Sequence, residues 1–156
     1  MIDEPQVTQT VAQATAVIHL TIPRAEIQNV MGPAHSELMA AVTAQGITPA
    51  GPWYTYHLRM DPDVFDFEVG VPVPSRVAAA GRVQPGELPA RTVARTVYRG
   101  PYEGLASAWG EFDAWIIANG HKHAPDLWEV YVAGPETGLD AAQWRTELNR
   151  PLSGTT

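Results

Sequence analysis

A single carboxylate within a short aromatic strand is the residue of this sequence best placed to do chemistry. Residues Leu127, Trp128, Glu129, Val130 and Tyr131 form a run whose aromatic and β-branched content is typical of a β-strand. Alternation along a strand places Leu127, Glu129 and Tyr131 on one face, with Trp128 and Val130 on the other. A carboxylate between apolar neighbours is costly to bury without a partner. Glu129 therefore either faces water or lies in a pocket that receives a donor or a cation.

Other kinds of chemistry find little support in the sequence. There is no cysteine, which excludes disulfides, thiolate catalysis and cysteine-ligated metals. His121 and His123 are close in sequence, but without a carboxylate at fixed spacing they form an incomplete metal site. No serine lies in a nucleophile elbow, and there is no glycine-rich phosphate loop. We therefore expect neither a bound metal nor a cofactor.

Size and charge limit the partners. The 156 residues, 45% of them hydrophobic and 17% charged, fit one globular domain. A formal net charge of −7 argues against direct nucleic-acid binding and against binding to anionic membranes. The chain does not begin with a basic segment followed by an apolar one, and no run approaches the length of a membrane span. We therefore expect a cytoplasmic protein.

The elements that must position Glu129 follow an order that occurs twice. Each half is predicted to contain a strand, a helix and two further strands. The predicted ranges are 16–22, 34–45, 53–58 and 65–73 in the first half, and 91–99, 101–119, 127–131 and 144–152 in the second. We expect one α+β domain over residues 15–153, built of β-α-β-β repeats at 15–74 and 90–153. A flexible N-terminal segment at 1–14 and a connection at 75–89 complete the chain.

Several matches between the halves support this repeat. Gly32-Pro33 matches Gly100-Pro101 as the start of a helix, and Gly46 matches Gly120 as its end. Residues 53–56 match 128–131 at a shift of 75, and residues 67–72 match 146–151 at a shift of 79. A longer second helix and a longer second hairpin loop are the predicted reasons for the larger shift.

The repeat also predicts where a site forms. Each unit leaves an apolar sheet face, and the two antiparallel sheets are expected to be buried together under the helices. A pseudo-twofold axis would then bring matched positions together, with Tyr54 opposite Glu129 and Tyr56 opposite Tyr131. The prediction is a central cleft with aromatic walls and one carboxylate.

The chain resembles the GyrI-like small-molecule-binding family, which includes the effector-binding domains of multidrug-sensing and AraC-type transcription regulators. The similarity lies in residues 99–105, 115–120, 128–131 and 140–151, with 67–72 in the first half. The resemblance implies a duplicated β-α-β-β fold of the SHS2-type pair, whose cleft binds bulky, often cationic aromatic molecules. It also implies that Glu129 is the central glutamate of that cleft.

The predicted ligand-binding residues combine this carboxylate with aromatic side chains. The set is Glu129, Tyr131, Tyr54, Tyr56, Trp144, Trp109, Tyr102 and Glu68. Structural roles stay open for several of them. Trp109 has the helical spacing of a core residue, and Glu68 lies four residues before a proline, as Glu147 does. A buried tyrosine needs only one hydroxyl partner, so core packing explains Tyr54, Tyr56 and Tyr131 equally well.

The functional expectation is a freestanding binder of bulky aromatic or cationic small molecules, acting alone or through a protein partner. The sequence leaves little room for a helix-turn-helix before Val17. One alternative is a hydrolase that opens cyclopropane rings in genotoxic natural products, in which Glu129 acts as base towards water beside Tyr131. A second alternative is a protein-interaction module that inhibits an enzyme.

Overall fold

The computed structural model describes residues 2–60, 63–134 and 137–153. It has an α+β fold with mostly antiparallel sheet and two helices, which confirms the predicted fold class at this level. The helices are α1 (Ile27–Ala44) and α2 (Leu105–Ala118). The strands are β1 (Gln6–Gln9), β2 (Gln13–Pro23), β3 (Tyr54–Met60), β4 (Val64–Pro72), β5 (Gln84–Leu88), β6 (Thr92–Arg99), β7 (Lys122–His123), β8 (Leu127–Ala133) and β9 (Arg145–Ser153). Neither helix combines the length and the apolar content needed to span a membrane, within the part of the chain that is described.

The chain divides into two compact units. The first unit is Val11–Ala90, and the second unit joins Met1–Thr10 to Arg91–Thr156. In the first unit the strands lie in the order β3-β4-β2-β5, and in the second unit the order is β8-β9-β6-β1, with β7 paired to the end of β9. The pairs within each unit are antiparallel.

The core of the first unit lies between its sheet and α1. Alternation along β4 turns Phe67, Val69 and Val71 towards the helix, where they form one buried cluster with helix residues such as Leu38. Glu68 and Gly70, which are two residues apart, consequently lie on the opposite face of β4.

The core of the second unit follows the same principle. Phe112 and Ile116 of α2 are four residues apart on one helix face, and they pack against Leu148 and Leu152 of β9. Both helices end at the predicted glycines. Gly46 and Gly120 have φ angles of 71° and 79°, in the left-handed region that favours glycine.

Several predicted boundaries are wrong. Helix α1 begins at Ile27, after a 3-10 turn at Arg24–Glu26, so Gly32-Pro33 lies inside the helix rather than at its start. The Gly-Pro pair is misleading because proline usually marks the first helical turn. The second helix is also the shorter one, with 14 residues against 18, so it does not explain the larger shift.

Two edge strands lie where the sequence predicts none. β1 falls within the predicted flexible segment 1–14, and β5 falls within the predicted connection 75–89. Both pair through their backbones with an outer strand of a sheet, β6 and β2 respectively. Their side chains are mostly exposed or half-buried, so they show no apolar alternation that would reveal a strand.

Strand register gives a different correspondence between the two units. Tyr56 pairs with Glu68, whereas Val130 pairs with Glu147, and the pairing is irregular just after His57 and just after Tyr131. If Glu68 corresponds to Glu147, β3 and β8 correspond at a shift of 74 rather than 75. A slip of one residue reverses the face to which every side chain points.

The corrected register changes the predicted pairs. Counted from the strand pairs Tyr56–Glu68 and Val130–Glu147, Glu129 has the place in β8 that Thr55 has in β3, and Tyr131 has the place of His57. In the strand pairing, Tyr54 and Tyr56 therefore each lie one residue before the places in β3 that Glu129 and Tyr131 have in β8.

Candidate functional site

Glu129 lies in the middle of β8 and accepts a hydrogen bond at each carboxylate oxygen. Trp109 Nε1 donates to Oε2 at 2.6 Å, and the Tyr131 hydroxyl donates to Oε1 at 2.8 Å. Both donors are neutral. The carboxylate is thus held in position by two neutral groups.

Local structure explains why these three residues meet. Glu129 and Tyr131 are two apart on a strand, so their side chains share a face. That face carries Leu148 of the paired strand β9 and is covered by α2. Trp109 projects from α2 next to Phe112, with ring centroids 5.7 Å apart, and so reaches the carboxylate. The predicted faces of the strand are confirmed.

The Glu129 carboxylate is in a poorly solvated position. Burial raises the pKa of Glu129, and the hydrogen bonds from Trp109 and Tyr131 partly oppose that rise. Part of the residue remains exposed, but its carboxylate is enclosed by protein. No lysine, arginine or histidine among the described side chains forms an ion pair with it. The described side chains therefore give an ionised Glu129 two hydrogen bonds but no opposing charge.

Two further aromatic residues extend the site beyond Tyr131. The Tyr102 ring lies edge-on to Tyr131, with centroids 5.8 Å apart, and 5.0 Å from the Trp144 ring. The 3-10 turn that carries Tyr102 is held by a hydrogen bond from the Tyr98 hydroxyl to the carbonyl of Pro101.

The other predicted residues lie in the first unit, on the face of its sheet away from α1. Tyr54 is fully buried, and a Cβ added at Gly70 would overlap its ring. Tyr56 is half-buried and pairs with Glu68. Burial raises the pKa of Glu68, with His19 opposing that rise. The structure therefore groups four predicted residues with Glu129, namely Tyr131, Trp109, Tyr102 and Trp144, and groups Tyr54, Tyr56 and Glu68 separately.

The first unit has different side chains at the positions that correspond to the site. By strand pairing, Thr55 has the place in β3 that Glu129 has in β8, and His57 has the place of Tyr131. The His57 ring stacks on Phe67 at 5.2 Å, and burial lowers the pKa of His57 to about 4, with Arg24 adding to this effect. The Arg24 guanidinium carbon lies 4.4 Å from the centroid of Phe65. A neutral histidine and an arginine thus accompany the aromatic rings here.

Sequence reasoning misses one residue near the site, Arg150. It is 5% exposed, and its guanidinium carbon lies 5.9 Å from the centroid of the Trp109 ring. Burial lowers the pKa of Arg150, whereas Asp113 and Asp126 raise it. Its place in β9 could have indicated it, because Leu148 and Leu152, two residues before and after it on the same strand face, are core residues. In the described ranges, no group of three histidine or acidic side chains is arranged to hold a metal ion.

The chain is a small-molecule-binding domain by its family, and its fold is an antiparallel α+β fold with a carboxylate among aromatic rings. It belongs to the GyrI-like family, since the model of the GyrI-like small molecule binding domain matches residues 3–152. This match confirms the resemblance to the GyrI-like family seen in the sequence. No curated protein matches the chain.

Solved structures show the same fold. The crystal structure of the EcmrR C-terminal domain has a TM-score of 0.83 and 20% identity, with 97% of this chain and 98% of that chain covered. In the EcmrR–DNA complex the match has a TM-score of 0.81 and 21% identity, and it covers 96% of this chain but only 57% of EcmrR. The chain thus spans little more than half of that protein.

Two further solved structures, one of a ligand complex and one of a hydrolase, have lower TM-scores and lower sequence identities. SAV2435 bound to tetraphenylphosphonium has a TM-score of 0.66 and 14% identity, with coverage of 97% and 95%. A hydrolase from Listeria innocua has a TM-score of 0.68 and 14% identity, with coverage of 96% and 92%. At these identities the likeness shows the fold alone.

Proposed function

We propose that this domain binds bulky aromatic cations and that Glu129 supplies the opposing charge. The observation that carries the proposal is an enclosed carboxylate with two neutral donors and no ion pair among the described side chains. A carboxylate in a low-dielectric site attracts a cation more strongly than one in water does. A bound cation would therefore supply the compensation that the protein does not.

The aromatic residues favour an organic cation over a metal ion. Tyr131 contacts the carboxylate, the Tyr102 ring contacts Tyr131, and the Trp144 ring contacts Tyr102. Ring faces attract organic cations by about 0.5–2 kcal/mol each, and they stack on aromatic ligands. SAV2435, which has a similar fold, is seen bound to tetraphenylphosphonium. This compound combines a positive charge with aromatic surface. Such contacts make modest demands on shape, which supports the binding of several multidrug-like compounds.

We infer a sensing role related to that of regulator effector domains. The net charge of −7 disfavours DNA contact by this domain, so a sensed signal would pass to another domain or protein. We also infer that residues 15–74 and 90–153 are repeats of a duplicated domain. The shared order of elements and the matching irregularities in β3 and β8 support this inference.

Calorimetric titration with tetraphenylphosphonium tests the binding function. Glu129→Gln should weaken binding of this cation by about 2–5 kcal/mol, because a desolvated opposing charge is lost. Binding of the neutral aromatic compound triphenylphosphine oxide should change much less. The measurement is the dissociation constant of each compound for the wild type and the variant.

Glu147→Gln is the matched control. It removes one negative charge from β9, on the strand face opposite the site, where Glu147 accepts a hydrogen bond from Asn149. We expect it to leave cation binding unchanged. An equal loss in both variants would assign the effect to net charge, and equal binding by Glu129→Gln and the wild type would remove Glu129 from the site.

We infer hydrolysis of an electrophilic natural product as the second candidate function. The raised pKa of Glu129 supports it, because a general base works best with a pKa near the working pH. Glu129 would accept a proton from water while the water oxygen forms a bond to one carbon of a strained cyclopropane ring. A ring C–C bond at that carbon would break, its electron pair would pass to the electron-accepting group conjugated with the ring, and the proton held by Glu129 would return to the product, so that one water is added in total. Tyr131 would orient the carboxylate. Mass spectrometry of such a compound after incubation would show the addition of one water for a hydrolase and an unchanged mass for a binder.

A further inference from the structure

Arg150, Trp109 and Glu129 form a continuous series of contacts in the second unit. The Arg150 guanidinium lies over the Trp109 ring, with 5.9 Å between its carbon and the ring centroid. The indole N–H of Trp109 donates a hydrogen bond to Glu129 Oε2 at 2.6 Å. Trp109 therefore links a buried cation to the carboxylate of the candidate site.

The guanidinium is held incompletely by its surroundings. Its Nη2 lies 2.9 Å from His123 Nδ1, and its Nε lies 3.7 Å from Asp113 Oδ1. Within the described residues, Nε and Nη1 are buried without a hydrogen-bond partner. A buried cation with unmade hydrogen bonds is unfavourable for folding. The ion pair with Asp113 thus leaves two of the three guanidinium nitrogens without a hydrogen bond, and core packing alone is a poor explanation for an arginine at this position.

The first unit shows that the fold does not require this arginine. Arg150 pairs with Ala94 between β9 and β6, and at the corresponding place Val71 pairs with Ala16 between β4 and β2. Val71 is 1% exposed and packs in the core beneath α1. A valine thus fills the corresponding position, and the unit that has it also has Thr55 in place of Glu129. The buried cation Arg150 thus occurs in the unit that has the carboxylate Glu129.

We propose that Arg150 is a positioning residue that holds the Trp109 indole in the orientation in which its N–H faces Glu129. This inference rests on the proposed cation-binding function. A guanidinium over an indole face is attracted to it, more strongly where water is excluded, and this attraction restricts the rotation of the ring. Because the Trp109 hydrogen bond lowers the pKa of Glu129, loss of that orientation leaves the carboxylate protonated up to a higher pH.

The test uses Arg150→Met and Arg150→Lys in the ligand-free chain. The indole N–H resonance of Trp109, assigned with Trp109→Phe, is followed by NMR through the titration of Glu129. In Arg150→Met we expect its pH midpoint to rise, and in Arg150→Lys we expect a midpoint near that of the wild type. Thermal stability of Arg150→Met should fall, because Asp113 Oδ1 is buried and loses its ion-pair partner, so the pH midpoint and not the stability decides the test. An unchanged midpoint in Arg150→Met would overturn the inference.

Titration with tetraphenylphosphonium provides the second measurement. At neutral pH we expect Arg150→Met to bind about tenfold more weakly than the wild type, a loss within the range of a desolvated cation–π contact. Arg95→Met is the control, since it removes an arginine whose contacts are Asn149 and Glu147. We expect it to bind as the wild type does.

The two measurements separate failure of this inference from failure of the proposed function. A Trp109 midpoint that moves in Arg150→Met, in a protein that does not bind tetraphenylphosphonium, supports the positioning role and contradicts the cation-binding function. Lower stability and weaker binding with an unmoved midpoint would show that Arg150 is only structural.

Discussion

At the scale of single residues, the properties of Glu129 depend on two hydrogen bonds that oppose the effect of burial. Tyr131→Phe removes the donor to Oε1 at 2.8 Å and keeps the ring that contacts Tyr102. Since this bond lowers the pKa of Glu129, we expect the pKa to rise in the variant. Cation binding, which needs the ionised form, should then be lost at a higher pH as the solution is acidified. The measurement is the dissociation constant of tetraphenylphosphonium across the acidic range.

Tyr98→Phe is the control for this prediction. Its hydroxyl donates to the carbonyl of Pro101, so the variant loses a hydrogen bond in the same unit without touching Glu129. Both variants should lose about 1 kcal/mol of unfolding free energy, but only Tyr131→Phe should move the pH midpoint of binding. Equal midpoints in Tyr131→Phe and the wild type would show that the hydroxyl does not act on the carboxylate.

The raised pKa of Glu129 also makes the unfolding free energy depend on pH. Its pKa is raised in the folded state, so its contribution is fully present below the ordinary carboxyl pKa and is lost as pH rises through the folded pKa. Glu129→Gln does not titrate. We therefore expect its unfolding free energy to increase relative to the wild type as pH rises from acidic to neutral.

Urea denaturation at several pH values measures this difference, and Glu147→Gln serves as the comparison. A gap between Glu129→Gln and the wild type that stays constant with pH would contradict a raised pKa. The predicted trend would mean that the domain gives up stability at neutral pH to keep an ionised carboxylate in its site.

At the scale of elements, the sequence predicts well where side-chain pattern and turn chemistry agree. The strand at Glu129 and the glycine stops at Gly46 and Gly120 are confirmed, because alternation and a left-handed φ leave clear signals. β1 and β5 leave no such signal, since backbone pairing rather than side-chain burial makes them strands. Helix α1 is only partly predicted, because the proline inside it imitates a helix start.

Helix α2 offers a test of local stability away from the site. Gly110 lies inside α2, is exposed, and has open space where a Cβ would be placed. Gly110→Ala should stabilise the domain by about 0.5–1 kcal/mol, because alanine loses less backbone entropy in a helix. Gly104→Ala is the contrasting variant, since its Cβ would overlap the Tyr98 hydroxyl and disturb the turn that carries Tyr102. Thermal unfolding measures both, and destabilisation by Gly110→Ala would contradict the prediction.

At the scale of the whole molecule, the repeated order of elements is readable from sequence but its register is not. Alternation in β3 and β8 assigns two faces to each strand, yet the irregular pairing after His57 and after Tyr131 becomes visible only with the partner strand in place. A one-residue error therefore matches Glu129 to Tyr54 instead of Thr55. Arg150 is missed because a charged residue is not expected among the core positions of β9.

The corrected correspondence predicts that each chain binds one aromatic cation. The second unit offers an enclosed carboxylate, whereas the first unit offers Thr55 at that position and places the Arg24 guanidinium 4.4 Å from the Phe65 ring centroid. A threonine hydroxyl supplies no negative charge, and an arginine over the ring repels a second cation. Calorimetry with tetraphenylphosphonium should therefore give one site per chain.

Two variants sharpen this prediction of stoichiometry. Arg24→Ala should still give one site, because removing the arginine leaves Thr55 without a charge, and Glu129→Gln should lose the measurable site. Two equivalent sites in the wild type would contradict the assignment of function to the second unit alone. A second site that appears in Arg24→Ala would instead show that aromatic rings suffice for binding, and that Arg24 rather than Thr55 closes the first unit to cations.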